Sequence, residues 1–124
     1  MSEKEEMILY ILTYANDNAE KAAIPFVLGG AALAMDLRAV VVLQGEGALL
    51  AKPGYVDTMN KPGGFPPLKK LLSDFVELGG ELKVCGPCIK DRGIEEADLI
   101  EGANVTAAGQ VNLLAIEADA VLTF

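Results

Sequence analysis

Both cysteines of this chain sit in one motif, Cys85-Gly86-Pro87-Cys88. A cysteine thiolate is a nucleophile and a metal ligand, whereas the neutral thiol is neither. At this spacing the two Cα atoms lie about one helical turn apart, inside the roughly 4.4–6.8 Å that a disulfide spans. The pair therefore suits a dithiol, a disulfide or a persulfide carrier. Nucleophilic work needs a lowered thiol pKa, and a strand end followed by turn amides, with Lys90 and Arg92 close in sequence, predicts that bias for Cys85. Gly86 lets the backbone turn sharply, and Pro87 fixes the first residue of that turn without taking away a needed donor. The competing reading makes both cysteines small buried hydrophobes. Arg92 has two uses open to it: holding an anionic substrate, or tying the loop to a carboxylate such as Asp91 or Glu95.

The sequence contains no histidine, which removes Ser-His and Cys-His catalytic pairs and every histidine-based metal site. Two cysteines cannot complete a tetrahedral zinc or iron–sulfur site within one protomer, so neither a metal nor another cofactor is expected. A net charge of −8 without a basic cluster argues against direct binding of nucleic acid or of an anionic membrane surface. Apolar residues make up 52% of the chain, yet Pro25, Gly29-Gly30 and Asp36 interrupt the longest apolar stretch well short of the ~18 residues of a membrane span. The acidic start Met1-Ser2-Glu3-Lys4-Glu5-Glu6 does not read as a signal peptide. A cytoplasmic protein is expected, in which a cysteine pair is catalytic or metal-binding rather than a structural staple. The length of 124 residues suits one domain, residues 1–124.

The elements that must position the motif are legible from hydrophobic patterning. Met7 to Thr13 is a continuous apolar run, the pattern of a strand covered on both faces, and is expected as the central strand. Asp17 to Glu20 has the form of a capping box with Asp17 as N-cap, opening a helix to about Asp36 that Pro25 should kink or delay. Gly29-Gly30-Ala31-Ala32 leaves one helix flank almost without side chains, for packing on the sheet or on a neighbouring subunit. Arg38 to Leu43 reads as the second strand, and a short helical turn fits between Ala48 and Lys52. Pro67 is expected as the first residue of a helix carrying Leu68, Leu71, Leu72, Phe75 and Leu78 at helical spacing until Gly79-Gly80. Glu81 to Val84 is a third strand leading into Cys85, followed by a short acidic helix at Glu95 to Glu101. Asn104 to Ala107, Gln110 to Glu117 and Asp119 to Phe124 read as strand, helix and strand.

Five strands alternating with helices imply an α/β fold, a three-layer α/β/α arrangement on a mainly parallel five-stranded sheet. Ligands in such sheets bind beyond the carboxyl ends of the strands. The turns there, at Tyr14 to Asn16, Gln44 to Gly47, Cys85 to Cys88 and Ala108 to Gln110, should converge on one cleft. Cys85 and Cys88 are thus the candidate catalytic residues, and Gly86, Lys90, Arg92, Asn16 and Gly109 the candidate anion- or substrate-binding set. Asn16, like Tyr14 and Tyr55, competes with caps and turns for that role. Gly45-Glu46-Gly47 carries neither the lysine of a phosphate-binding loop nor the further glycine of a dinucleotide turn. The long connection Gly45 to Pro67, with its glycine- and proline-rich end Lys61 to Pro67, reads as a lid or interface loop.

Cys-Gly-Pro-Cys also occurs in thioredoxin, where it follows an early strand and a tryptophan, opens a long helix and faces a cis-proline. Here the motif follows the third strand, tryptophan is absent, Gly93 cuts the next helix short, and no proline follows Pro87. A thioredoxin fold is not expected. The segment Val84-Cys85-Gly86-Pro87-Cys88-Ile89-Lys90-Asp91-Arg92-Gly93-Ile94, the early alanine-rich helix, and the ending from Ala107-Ala108-Gly109 through Ala120 to Phe124 resemble the sulfur-relay proteins of the DsrE/DsrF/TusD type over almost the whole chain. The spacing of the cysteine to Arg92-Gly93 is the specific part. The resemblance implies a DsrEFH-like fold, Cys85 as acceptor of sulfur in persulfide form, a homo-oligomer (trimer or hexamer), and sulfur donor and acceptor proteins as partners. Cys88 has no counterpart in several relay members, and its thiol is placed to attack a persulfide and release sulfide.

Three readings follow. The first is a sulfurtransferase-like carrier that holds sulfane sulfur on Cys85. The second is a dithiol oxidoreductase in which Cys85 attacks and Cys88 resolves. The third is a non-catalytic subunit or small-molecule-binding module using the strand-end cleft and the Lys61 to Pro67 loop.

Overall fold

The computed structural model describes residues 5–59 and 62–124. Residues 1–4 of the acidic start and Lys61, the first residue of the glycine- and proline-rich loop, lie outside the described residues.

Five strands form one sheet: β1 (Met7–Leu12), β2 (Arg38–Leu43), β3 (Glu81–Cys85), β4 (Ala103–Thr106) and β5 (Ala120–Thr123), in the order β4-β3-β2-β1-β5. Every pairing is parallel. The centre of the sheet is therefore β2, whose last five residues are all buried, and not β1 as the long apolar run suggested. Both are interior strands covered on two faces, so the same hydrophobic signature serves either position.

The helices are α1 (Ala19–Ala34), α2 (Leu68–Glu77), α3 (Gly86–Asp91) and α4 (Ala108–Glu117). On one face of the sheet Tyr10, Val41, Leu43, Leu82 and Val84 join Phe26 of α1, Leu72 and Phe75 of α2, and Ile89 of α3 in the main core. On the other face Met7, Leu9, Val40 and Val42 pack with Val111, Leu114 and Ala115 of α4. Helices on both faces of a parallel sheet give the expected three layers. No helix among the described residues is long and apolar enough to cross a membrane.

Several local expectations shift. Asn18, not Asp17, caps α1, its Oδ1 accepting the Lys21 N–H at 3.0 Å, while Asp17 Oδ1 accepts the Ala15 N–H at 2.8 Å in the 3-10 turn before the helix. The helix runs through Pro25, which is buried inside it; tertiary packing outweighs a missing intrahelical bond. Pro67 is the N-cap of α2 rather than its first residue. The acidic stretch before β4 forms only a 3-10 turn, Glu96–Asp98, where like charges crowd together and Leu99, already extended, packs against the main core. The small-residue flank of α1 is used inside the protomer at Gly29, where a Cβ would come within 2.8 Å of Phe75 Cε1. The rings of Phe75 and Phe26 meet edge to face at 5.5 Å.

At the amino ends of β2 and β3, Arg38 reaches Glu81 at 2.6 Å and Glu117 of α4 at 2.8 Å. This pairing ties the second face of the sheet to the end of α4.

Candidate functional site

Cys85 is the last residue of β3 and Cys88 lies in the first turn of α3. The strand alternates half-buried and buried residues, with Leu82 and Val84 in the main core. Cys85 accordingly falls on the same side as Glu81 and Lys83, whereas Cys88 packs against the main core. The short helix brings the two sulfurs together across the strand end: Cys85 and Cys88 form a disulfide with Cα atoms 5.2 Å apart. Gly86 lies against the end of β4, where a Cβ would meet Val105 Cγ1 at 3.2 Å and Thr106 O at 3.5 Å. Glycine is the residue that fits between the two strand ends.

The end of β2 supplies the next layer. The 3-10 segment Gly45–Ala51 leaves β2 so close to β1 that Gln44 donates its N–H to Leu12 O at 2.9 Å, and a Cβ at Gly47 would overlap that carbonyl. Gly45, with φ of 56°, is in the left-handed region that glycine adopts freely. In this conformation its N–H donates to Cys88 Sγ at 3.3 Å. The neighbouring Glu46 accepts from Arg92 Nη2 at 2.9 Å and from Arg92 Nε at 3.2 Å, while Arg92 Nη1 donates to Cys88 O at 3.1 Å. Of the two uses open to Arg92, the structure records the loop tie, and the carboxylate is Glu46 rather than Glu95; Asp91 approaches only at 4.0 Å.

The remaining candidate residues lie in α3, in α4 and in the turn after β1. Lys90 is exposed on the last turn of α3. Gly109 is exposed in the first turn of α4, with open space where a Cβ would sit. Asn16 follows β1, separated from the cysteine strand by β2, and its N–H donates to Tyr55 Oη at 3.2 Å. The Tyr14 ring lies under Lys21 Nζ at 4.7 Å. Opposite Cys85 in the ladder stands Thr106, a buried polar residue whose hydroxyl donates to Gln110 Oε1 at 3.1 Å. The same oxygen accepts the Ala107 N–H at 3.2 Å, closing the start of α4.

The electrostatics of the reduced site differ from the sequence expectation. Burial pushes the Cys85 thiol above its ordinary value, with a further upward contribution from hydrogen bonding to Cys88; Arg92 pulls the other way and loses. Its guanidinium is already paired with Glu46, which raises the arginine's own pKa and offsets its positive charge. The lowered Cys85 pKa anticipated from neighbouring cations is therefore not what the fold produces. Gly45, Glu46 and Gln110 belong to turns expected at the cleft but were not among the named candidate residues, and Thr106 had no sequence signal at all. The one signal for the first two was Gly45-Glu46-Gly47 directly after a strand. Its partner Arg92 lies 46 residues away from Glu46, beyond any local pattern.

Two cavities lie away from the cysteines. One of about 640 Å3 is lined by Leu72, Val76, Ile100 and Gly102 at the amino end of β4, the opposite end of a parallel sheet from the cysteines. Another, of about 560 Å3, is lined by Val56, Met59, Pro62, Phe65 and Leu68 beneath the long connection.

The family model described as "DsrE/DsrF-like family" matches residues 7–124. Among curated proteins, uncharacterized protein MJ0989 of Methanocaldococcus jannaschii is 36% identical over 116 residues, covering 92% of this chain and 96% of the relative. Two solved structures share the fold. The ychN protein from E. coli superposes with a TM-score of 0.67 at 19% identity, covering 98% of this chain and 100% of that one. The protein of unknown function MTH1491 from Methanobacterium thermoautotrophicum superposes with a TM-score of 0.71 at 14% identity over the same shares.

Proposed function

The chain belongs to the DsrE/DsrF-like family, and from that premise we propose that it is a cytoplasmic, homo-oligomeric sulfur-relay protein that carries sulfane sulfur as a persulfide on Cys85. The supporting observation is the place of Cys85 at the carboxyl end of β3, beside a second thiol and seven residues before Arg92. In the reduced form, Cys85 loses its proton to solvent and its thiolate attacks the terminal sulfur of a donor persulfide. A new S–S bond forms at Cys85, the donor sulfur leaves as its thiolate, and an acceptor thiolate later takes the outer sulfur the same way. Since burial opposes ionisation of Cys85, loading accelerates with pH. Arg92, committed to Glu46, acts as a positioning residue for the loop rather than as a ligand for the substrate.

A homo-oligomer agrees with apolar side chains left at the surface: Leu113 and Ile116 of α4 are 67% and 82% exposed, and Val121 and Leu122 of the edge strand β5 are exposed as well. Exposed apolar side chains such as Leu113 and Ile116 on one helix suit an association surface.

The disulfide between Cys85 and Cys88 specifically favours a second reading, dithiol–disulfide exchange. Intact-mass spectrometry separates the two. Reduced wild type and the single cysteine-to-serine variants are exposed to a sulfane-sulfur donor. Relay predicts a gain of one sulfur, reversed by reductant, in wild type and Cys88→Ser but not in Cys85→Ser. Loss of two protons without a sulfur gain, or loading on Cys88 alone, would reject it.

A further inference from the structure

The two sulfurs of the disulfide are not equivalent. A nucleophile opening a disulfide approaches along the S–S axis, from behind the sulfur it attacks. Cys88 packs against the main core and accepts the Gly45 N–H. Both cysteines are half-buried, Cys85 on the other side of the strand with Glu81 and Lys83. The departing sulfur must also accept negative charge. The Gly45 N–H already points at Cys88 Sγ at 3.3 Å, and a hydrogen bond to a charged acceptor is about twice as strong as one to a neutral acceptor. Leaving-group stabilisation thus selects the direction of cleavage.

We propose that the oxidised protein is itself reactive, and that its substrate is hydrosulfide: HS⁻ attacks Cys85 Sγ, a bond forms between the two sulfurs, the Cys85–Cys88 bond breaks, and its electron pair leaves on Cys88 as a thiolate held by Gly45 N–H. The products are Cys85–S–SH and the Cys88 thiolate. The incoming sulfur rises by a single oxidation state, Cys88 sulfur falls by the same amount, and the proton of HS⁻ stays on the outer sulfur. No other oxidant takes part. Burial of the Cys85 thiol, which raises its pKa, agrees with this direction by making Cys85 the poorer leaving group. The product is the persulfide of the proposed relay, so this inference rests on that reading and adds a second way of filling the same site. Arg92 and Glu46 enter as positioning residues: their ion pair holds the segment that carries the Gly45 amide.

The test uses full-length protein oxidised to the disulfide, mixed with sodium sulfide without oxygen, trapped with iodoacetamide and mapped by peptide mass spectrometry. The expected result is alkylated persulfide on Cys85 and plain alkylated thiol on Cys88. In Glu46→Gln, opening should slow about five-fold, the worth of roughly one net hydrogen bond, and a larger share of persulfide should appear on Cys88. Oxidised wild type that is inert to sulfide, or that carries its persulfide mainly on Cys88, overturns the proposal. An unchanged rate and site in Glu46→Gln overturns the positioning role. The wild-type map decides the main claim even if that variant does not fold. Failure here while reduced protein loads from a sulfane-sulfur donor leaves the relay reading standing, and the converse result removes the relay reading alone.

Discussion

Gly45 donates its backbone N–H to the sulfur of Cys88 at 3.3 Å, linking the end of β2 to the first turn of α3. The contact depends on a φ of 56° at Gly45, where a side chain is disfavoured by about 1–2 kcal/mol. Gly45→Ala keeps the amide but strains the backbone. It should lower stability in urea denaturation by about that amount, although the nearest non-local atom to its Cβ, Thr13 O, is at an ordinary 3.9 Å. An unchanged midpoint would mean that the loop relaxes without cost.

The pH response of Cys85 follows from burial. A thiol whose folded pKa is raised stays protonated longer, so the alkylation rate of reduced Cys88→Ser should keep climbing beyond the ordinary cysteine value of 9.0. A kinetic midpoint at or below that value would show that Arg92 outweighs burial.

Phe75 seals the contact between α1 and α2, fully buried beside Gly29 and Phe26. Phe75→Ala should cost about 3–5 kcal/mol in denaturant titration. Gly29→Ala should also destabilise, by about 1–3 kcal/mol, because the added methyl presses on the ring. Double substitution should cost less than the sum, since the methyl then enters the space the ring vacates.

Arg38 holds the Glu81 carboxyl below the usual carboxylate range, chiefly through their hydrogen bond. A carboxylate with a lowered folded pKa stabilises above its unfolded pKa, and that contribution is lost as pH falls through the folded value. The pair is partly exposed, which limits its worth to about 1 kcal/mol. Glu81→Gln should therefore be less stable than wild type at neutral pH, with the gap closing on acidification. Parallel stability curves across that range would show that the ion pair plays no part in the pH response.

The homo-oligomer proposed on the exposed side of α4 gives a further expectation. Ile116→Asp places a charge where the isoleucine is 82% exposed, so the monomer fold should be retained while sedimentation velocity shifts to a smaller species. An identical sedimentation coefficient would move the interface elsewhere.

Much of the fold was legible because most of its strands and helices announce themselves locally. The run Met7 to Leu12, the β-branched Arg38 to Leu43, and the leucines and Phe75 of α2 all occupy the elements their patterns implied. Strand order was not equally legible, since β1 and β2 are both interior and both apolar throughout. The helix expected at Glu95 to Glu101 shortened to a turn because the backbone becomes extended at Leu99, which packs on the core.

The sequence by itself determined the chemistry on offer: two cysteines at disulfide spacing after a strand, no histidine to ionise them, and Arg92-Gly93 closing the motif. Covalent spacing and side-chain identity are local properties, readable without a fold. Tertiary structure alone decided how that chemistry is biased. Glu46 captures Arg92, Gly45 turns its amide onto Cys88, and burial raises the thiol of Cys85. Each of these depends on parallel strands placing the ends of β2 and β3 side by side, and on the desolvation that packing imposes, which no window of neighbouring residues contains.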